Sequence, residues 1–357
     1  MNAGLKKRLV LGGLARVADY IWAQQGSVLC LHSVRKGAIP AESFSPLGHL
    51  SVSGGFLELL VCDLRSRGVT LVSLSDALQR LQRGKMAGRF VALTFDDGYA
   101  DNFAEAFPLL VRLGVPFTVF LTSGFVDGTV PMWWVGLEAI LGDQDKLHLP
   151  GRTIPARTMA EKMMAFSIAE EVVRGIARKD VASFCERLFK LNSAARSRQL
   201  AFSAALDWNQ ARAMARTGLV NFGCHTVSHP VLSRLDEAQC RSEIIQARDR
   251  ITDELQAPPE FFAYPYGGLD DIGAFAPGLV ARCGFRAAFT TARKLLRAAN
   301  GQTETYAIPR LVLESEDLVM TRTHISGLPW ALRDAGGALL RNTRLHQSEK
   351  RLRYGHG

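Results

Sequence analysis

The chain has 357 residues, with 43 Lys and Arg against 34 Asp and Glu, a formal net charge of +9, and 47% hydrophobic against 22% charged residues. That balance excludes wholesale disorder, a collagen-like repeat and a coiled coil, and the length suits one large α/β domain with insertions or two modest domains. No uncharged apolar run reaches about 18 residues, so no helix is expected to cross a membrane.

The first 22 residues are basic (Lys6, Lys7, Arg8, Arg16) with a short apolar run. Arg16 and Asp19 interrupt that run, which argues against a secretory signal and for an amphipathic surface helix presenting Leu5, Leu9, Leu14 and Val17. Apolar runs bounded by turn residues then predict strands at Ser27–Leu31, Val69–Val72, Phe90–Phe95, Phe117–Leu121, Leu219–Phe222, Phe261–Ala263, Ala287–Thr290 and Tyr306–Val312. Helical patterns alternate with them at Leu57–Arg67, Asp101–Leu113 and Asp236–Leu255, the last with Asp236 as its cap and Glu237 in its first turn. This alternation predicts parallel βα units; strand number alone does not separate a closed or nearly closed barrel from an open doubly wound sheet. The stretch from about 124 to 206 breaks the rhythm with Trp133-Trp134, a polar loop near 142–158 and helical Ala- and Arg-rich sequence. It reads as a helical insertion between two strands. The chain thus divides into a basic amphipathic segment (1–26), an α/β body (27–313) and a helical basic C-terminal segment (314–357) with Arg341, Arg344, Lys350, Arg351 and Arg353.

Cys30, Cys62, Cys185, Cys224, Cys240 and Cys283 are scattered with no C-x-x-C pair, which suits a reducing compartment. The expected location is cytoplasmic, with the basic ends addressing the anionic inner face of a membrane. No nucleic-acid-binding module accompanies the charge, so nucleic acid is not an expected partner.

Chemistry concentrates in three segments. In Val91-Ala-Leu-Thr-Phe-Asp96-Asp97-Gly98-Tyr99, an apolar strand runs into two adjacent carboxylates. Strand C-terminal ends are where parallel α/β folds gather ligands, and two carboxylates there can divide into a metal ligand and a base; the competing reading is an Asp-Gly turn that caps a helix. In Val220-Asn-Phe-Gly-Cys-His225-Thr-Val-Ser-His229-Pro230, two histidines four apart again follow an apolar strand. That spacing puts two imidazoles on one side of a helical turn, and with one carboxylate they form an open site for a divalent metal. The composition suits zinc, with iron, cobalt or nickel also compatible. Phe261-Phe-Ala-Tyr264-Pro265-Tyr266-Gly267-Gly268 ends a further strand in a rigid turn that can aim a backbone N–H at a developing oxyanion.

Taken in that order, T-F-D-D-G-Y, H-T-V-S-H-P and Y-P-Y-G resemble the polysaccharide deacetylases, the NodB-homology group of carbohydrate esterases, over roughly residues 27–312. The resemblance implies a distorted (β/α) barrel and metal-dependent removal of N-acetyl or O-acetyl groups from a glycan. It implies Asp96 as catalytic base, Asp97, His225 and His229 as metal ligands, and the Tyr266 amide as an oxyanion donor. Tyr99 and Pro265, within the same motifs, fall on the substrate side.

Two departures from the family pattern stand out. The late Leu-x-His acid is missing: His324 sits in a helix-like stretch, whereas His32 ends the first strand, as in the poly-N-acetylglucosamine deacetylase branch, and is the expected general acid. The third motif carries Ala263 where an arginine would orient the base; Arg310 is the candidate replacement, with a surface salt bridge as the competing reading. Trp133 and Trp134 are either sugar platforms or core, and Trp208 is expected in the core. The leading expectation is an N-deacetylase acting in exopolysaccharide or cell-envelope assembly. One alternative acts on a small amide or lipid-linked sugar, another binds glycan without turnover. Retention of both aspartates and both histidines argues against the last.

Overall fold

The computed structural model describes residues 26–40, 42–83, 88–176, 178–292 and 305–329, with Gly13 and Leu296. The central strands are β1 (Gly26–Leu31), β2 (Phe90–Phe95), β3 (Phe117–Leu121), β4 (Val220–Cys224), β5 (Phe261–Ala263), β6 (Ala287–Thr290), β7 (Ile308–Pro309) and β8 (Leu311–Val312). They lie in the order β7-β6-β5-β4-β3-β2-β1-β8, and every pairing is parallel. Only Arg310 separates β7 from β8, so both ends of this order belong to one stretch of chain. The sheet therefore wraps into a nearly closed barrel rather than an open doubly wound sheet. Thr70–Leu71 pairs with the start of β2 without joining the ring.

β2 and β3 are buried along their whole length, as strands of a parallel sheet covered on both faces must be. The helix Gly54–Ser66 starts where Ser53 accepts from the Phe56 N–H, and it buries Leu57, Leu60 and Leu64 in the cluster that holds Leu29, Leu93 and Val119. The helix Leu318–Ile325 docks against the start of the barrel: Ile325 is buried, its carbonyl accepts from Ser27 Oγ, and Arg322 pairs with Asp63.

Between β3 and β4, helices Trp133–Asp143, Met159–Gly175, Arg178–Leu191 and Ala195–Ser203 enclose an apolar cluster of their own, including Trp133, Leu137, Phe166 and Leu188. The polar stretch expected to be a loop instead contains an antiparallel hairpin, Lys146–Leu149 with Arg152–Pro155. Its turn relies on Gly151 at φ 80°. The expected helix at Asp101–Leu113 opens as a π-turn over Asn102–Ala106 before becoming α-helical. The strand expected over Tyr306–Val312 starts at Ile308 and is interrupted at Arg310.

Among the described residues no helix is long and apolar enough to cross a membrane. Of the basic N-terminal segment only Gly13 and Gly26 are described, and the C-terminal basic residues at 341–353 lie outside the described residues. Cys62 is exposed and the other five cysteines are buried.

Candidate active site

The parallel ladder sends one strand end after another to the same rim. His32 follows β1, Asp96 and Asp97 follow β2, and His225 follows β4. The ladder runs one residue beyond the strands: Asp96 N–H donates to the Leu31 carbonyl at 2.9 Å and His225 N–H to that of Leu121 at 2.8 Å. A cavity of about 320 Å³ opens over this C-terminal rim, lined by His32, Asp96, Asp97, His225, His229 and Tyr266 and by Tyr99, Trp133 and Trp134. Clefts at this end are where parallel barrels carry ligands.

Asp97 and the two histidines converge. Asp97 Oδ1 lies 3.5 Å from His225 Nε2 and 3.3 Å from His229 Nε2. Oδ1 is buried and finds no hydrogen-bond donor among the described residues. His225 Nδ1 lies 2.7 Å from the Ala263 carbonyl, so a ring that donates there keeps its Nε2 lone pair facing Asp97. Burial lowers the pKa of both imidazoles below the ordinary histidine value, which favours neutral rings. A buried carboxylate oxygen facing the His225 Nε2 lone pair is unfavourable, and burial together with the Asp96 charge raises the Asp97 pKa well above the usual carboxylate range; a divalent cation held between Asp97, His225 and His229 relieves both. This donor set fits a divalent ion of the zinc class.

The spacing predicts a shared helical turn for the two histidines, and the structure shows none. Residues 225–230 form a loop with Thr226 at φ 71° and His229 at φ 55°. His229 precedes Pro230, whose ring disfavours the right-handed helical region for the residue before it. Asp97 is also left-handed, at φ 71°, and Gly98 follows at φ 77° where a Cβ would approach Leu121 Cδ2 to 2.7 Å. Non-glycine residues in this region cost of order 1–3 kcal/mol each, and such strain gathers at functional sites.

Asp96 lies beneath the cavity in a different environment. Arg310 Nη1 and Nη2 each donate to one of its oxygens at 2.6 Å, and Cys30 Sγ lies 3.4 Å from Oδ2. Burial pushes the Asp96 carboxyl up, but the guanidinium charge, His225 and the two N–H bonds outweigh it and hold the group well below the usual carboxylate range. Arg310 occupies the break between β7 and β8, its N–H tied to the Thr290 carbonyl at 2.9 Å. It is 2% exposed and does not line the cavity, so it acts through Asp96 rather than on a ligand. Cys30, His32 and Asp96 also bring potential ligand atoms within 4.8 Å of one another. A second cation there would face Arg310, which already neutralises both Asp96 oxygens.

His32 projects from the end of β1 into the cavity, its Nδ1 buried without a partner among the described residues. Burial lowers its pKa to about 4, opposed in part by Asp96. The π-turn, with no readable sequence signal, fixes this segment: Asn102 Nδ2 donates to the His32 carbonyl at 2.8 Å, and Ser33 Oγ donates to Asp101 at 2.5 Å. His324 lies in the helix Leu318–Ile325 and does not line the cavity.

The third motif reaches the cavity through Tyr266, at φ 62°, whose N–H has no acceptor among the described residues. Its ring centroid lies 4.8 Å from that of His229. Pro265 is buried behind it and does not line the cavity; its carbonyl accepts from Gly267 N–H at 2.7 Å. Trp133 and Trp134 share both expected settings, packed in the insertion's core yet edging the cavity, with Trp134 Nε1 donating to Tyr99 Oη at 2.7 Å. Trp208 is core, its Nε1 donating to Asp127. Sequence reasoning missed Arg174 of the insertion, which pairs with Asp271 at 2.6 Å and lies 4.1 Å from the Tyr266 ring centre. Only the fold brings it to the third motif.

Comparison with known proteins bears on the chain's family and fold. "Putative polysaccharide deacetylase YxkH" of Bacillus subtilis (strain 168) is 38% identical over 52 residues, which span 15% of this chain and 19% of that protein. Among solved structures, Streptococcus pyogenes deacetylase PplD in complex with acetate superposes with a TM-score of 0.54 at 16% identity, over 84% of this chain and 98% of that one. IcaB from Ammonifex degensii gives a TM-score of 0.54 at 19% identity, over 85% and 98%. At such identities the likeness is one of fold. The polysaccharide deacetylase sequence model matches residues 83–288, more than half of the chain, and spans all three motif segments of the cavity rim. The chain therefore belongs to the polysaccharide deacetylase family.

Proposed function

We propose that this chain is a metal-dependent deacetylase that hydrolyses the acetamide of an N-acetylated glycan. One observation carries the reading: the Asp97–His225–His229 triad, Asp96 and His32 meet at one cavity rim, with Arg310 paired to Asp96 from behind it. The triad would hold the divalent ion, zinc first, which when bound acidifies water and polarises the acetyl carbonyl. Asp96, kept ionised by Arg310, accepts a proton from the attacking water, whose oxygen becomes the second oxygen of acetate. The Tyr266 N–H donates to the carbonyl oxygen as negative charge develops on it. The C–N bond then breaks and the nitrogen takes a proton from His32. His32 rests neutral, so it first receives the proton that Asp96 took from the water and passes it on to the nitrogen as the imidazolium. Tyr99, Trp133 and Trp134 offer polar and aromatic surface to a sugar ring.

The test is acetate release from N-acetylated glucosamine oligomers. Release is expected to stop on chelation and to return with zinc, cobalt or nickel. Metal-saturated protein that frees no acetate from any acetylated glycan refutes the reading. His32→Gln is expected to slow turnover by about 10²–10⁴-fold while zinc affinity stays unchanged. Near-normal turnover in that variant removes His32 from the acid role.

A further inference from the structure

The helix Glu237–Leu255 buries a stripe of Cys240, Ile244, Ala247 and Ile251, and within that stripe sits a carboxylate, Glu243, at 0% exposure. Packing alone would call for another apolar side chain there, because an uncompensated buried charge is strongly disfavoured. The carboxylate is instead fully engaged with the loop between the two histidines. Its Oε2 accepts from the Val227 N–H at 2.7 Å and the Ser228 N–H at 3.0 Å, and its Oε1 accepts from Ser228 Oγ at 2.7 Å. Two successive amides on one oxygen form an anion-binding nest, which an aliphatic side chain cannot fill.

The opposite edge of the loop is held from the end of β3. Thr122 Oγ1 donates to the His225 carbonyl, Ser123 N–H to that of Thr226 and Gly124 N–H to that of Val227. Gly124 permits this approach, since a Cβ there would lie 2.5 Å from the Val227 carbonyl oxygen. Thr226 and His229 both hold left-handed backbone, a conformation that persists only where the surroundings over-determine it. Glu243 binds the two residues between them. We propose that Glu243 is a positioning residue of the metal triad: its carboxylate fixes the 226–228 loop and thereby sets the affinity for the divalent ion.

This rests on the reading of Asp97, His225 and His229 as metal ligands, and the two are separable by measuring Zn²⁺ affinity directly, by competition with a chromophoric chelator, alongside apo and zinc-saturated Tm. Glu243→Gln keeps shape but offers one acceptor oxygen instead of two. It is expected to weaken Zn²⁺ binding about 10–100-fold, the usual effect of losing a group that orients a ligand, and to shrink the zinc-induced rise in Tm. Unchanged Zn²⁺ affinity in the folded variant overturns the proposal, whatever happens to the apo Tm, because a purely structural role moves only the latter. If Glu243→Gln does not fold, Ser228→Ala removes one of the three bonds, and several-fold weaker Zn²⁺ binding is expected; unchanged affinity again overturns the proposal. Wild-type protein that binds no Zn²⁺, or Asp97→Ala protein that binds it as tightly as wild type, overturns the metal reading and this inference with it.

Discussion

Replacing Arg310 with Met is expected to lower folding stability by about 3–5 kcal/mol, the usual cost of stripping one partner from a buried ion pair. Both groups are essentially out of water, and two N–H donors of Arg310 serve the two oxygens of Asp96. Met fills similar volume but leaves the buried carboxylate with the Cys30 thiol as its one remaining side-chain hydrogen-bond donor among the described residues. The loss has a predictable pH dependence. Asp96 is held below its ordinary range in the folded state, so the pair stabilises the protein above the unfolded-chain value of about 3.9 and that stabilisation fades as pH falls through the folded value. The gap in Tm between wild type and Arg310→Met should therefore be widest at neutral pH and close in acid. A gap that is constant with pH would show that packing, not charge, accounts for the loss. Arg310→Lys should recover little, since a single ammonium cannot reproduce the two parallel contacts.

Asp96→Asn is expected to cut acetate release by about 10²–10⁴-fold, the span that a positioned general base contributes. The amide cannot accept the water's proton, and it leaves Arg310 as the uncompensated charge. Stability should fall alongside turnover, by an amount comparable to that of Arg310→Met. Combining the two substitutions should be far less damaging to stability than their sum, because each alone strands the other's charge and the double variant strands none. Zinc affinity, on the proposed ligand set of Asp97, His225 and His229, should survive in Asp96→Asn. Comparable turnover in Asp96→Asn and wild type would reassign the base.

Much of this site is legible in the sequence because parallel strands are apolar until they end. The change from Val-Ala-Leu-Thr-Phe to Asp96-Asp97 marks a rim position, and the change from Phe-Gly-Cys to His225 marks another. Arg310 is legible only through the family resemblance, whose third motif carries an arginine where this chain has Ala263. Backbone direction is less legible. The spacing of His225 and His229 implies proximity, but their approach depends on left-handed residues before Pro230 and on Glu243, which lies on another element. In sequence, Glu243 is only a carboxylate within an amphipathic stripe. The hairpin at 146–155 and the placement of Arg174 against Tyr266 depend on how the insertion packs on itself and returns to the barrel.

The single stretch that supplies β7, Arg310 and β8 also determines when in folding the site can exist. Asp96 meets Arg310 across 214 residues of sequence, and β1 is paired on one side by β2 and on the other by β8. A chain emerging from the ribosome therefore carries the first carboxylates, the histidine loop and the insertion before it carries the cation that neutralises Asp96. Until that stretch docks, Asp96 has no counter-charge, the flank of β1 is an unpaired strand edge, and the nascent barrel is a candidate for mispairing or capture by chaperones. Onset of acetate release during synthesis is then expected only after ring closure, which makes turnover a report on the docking of that stretch.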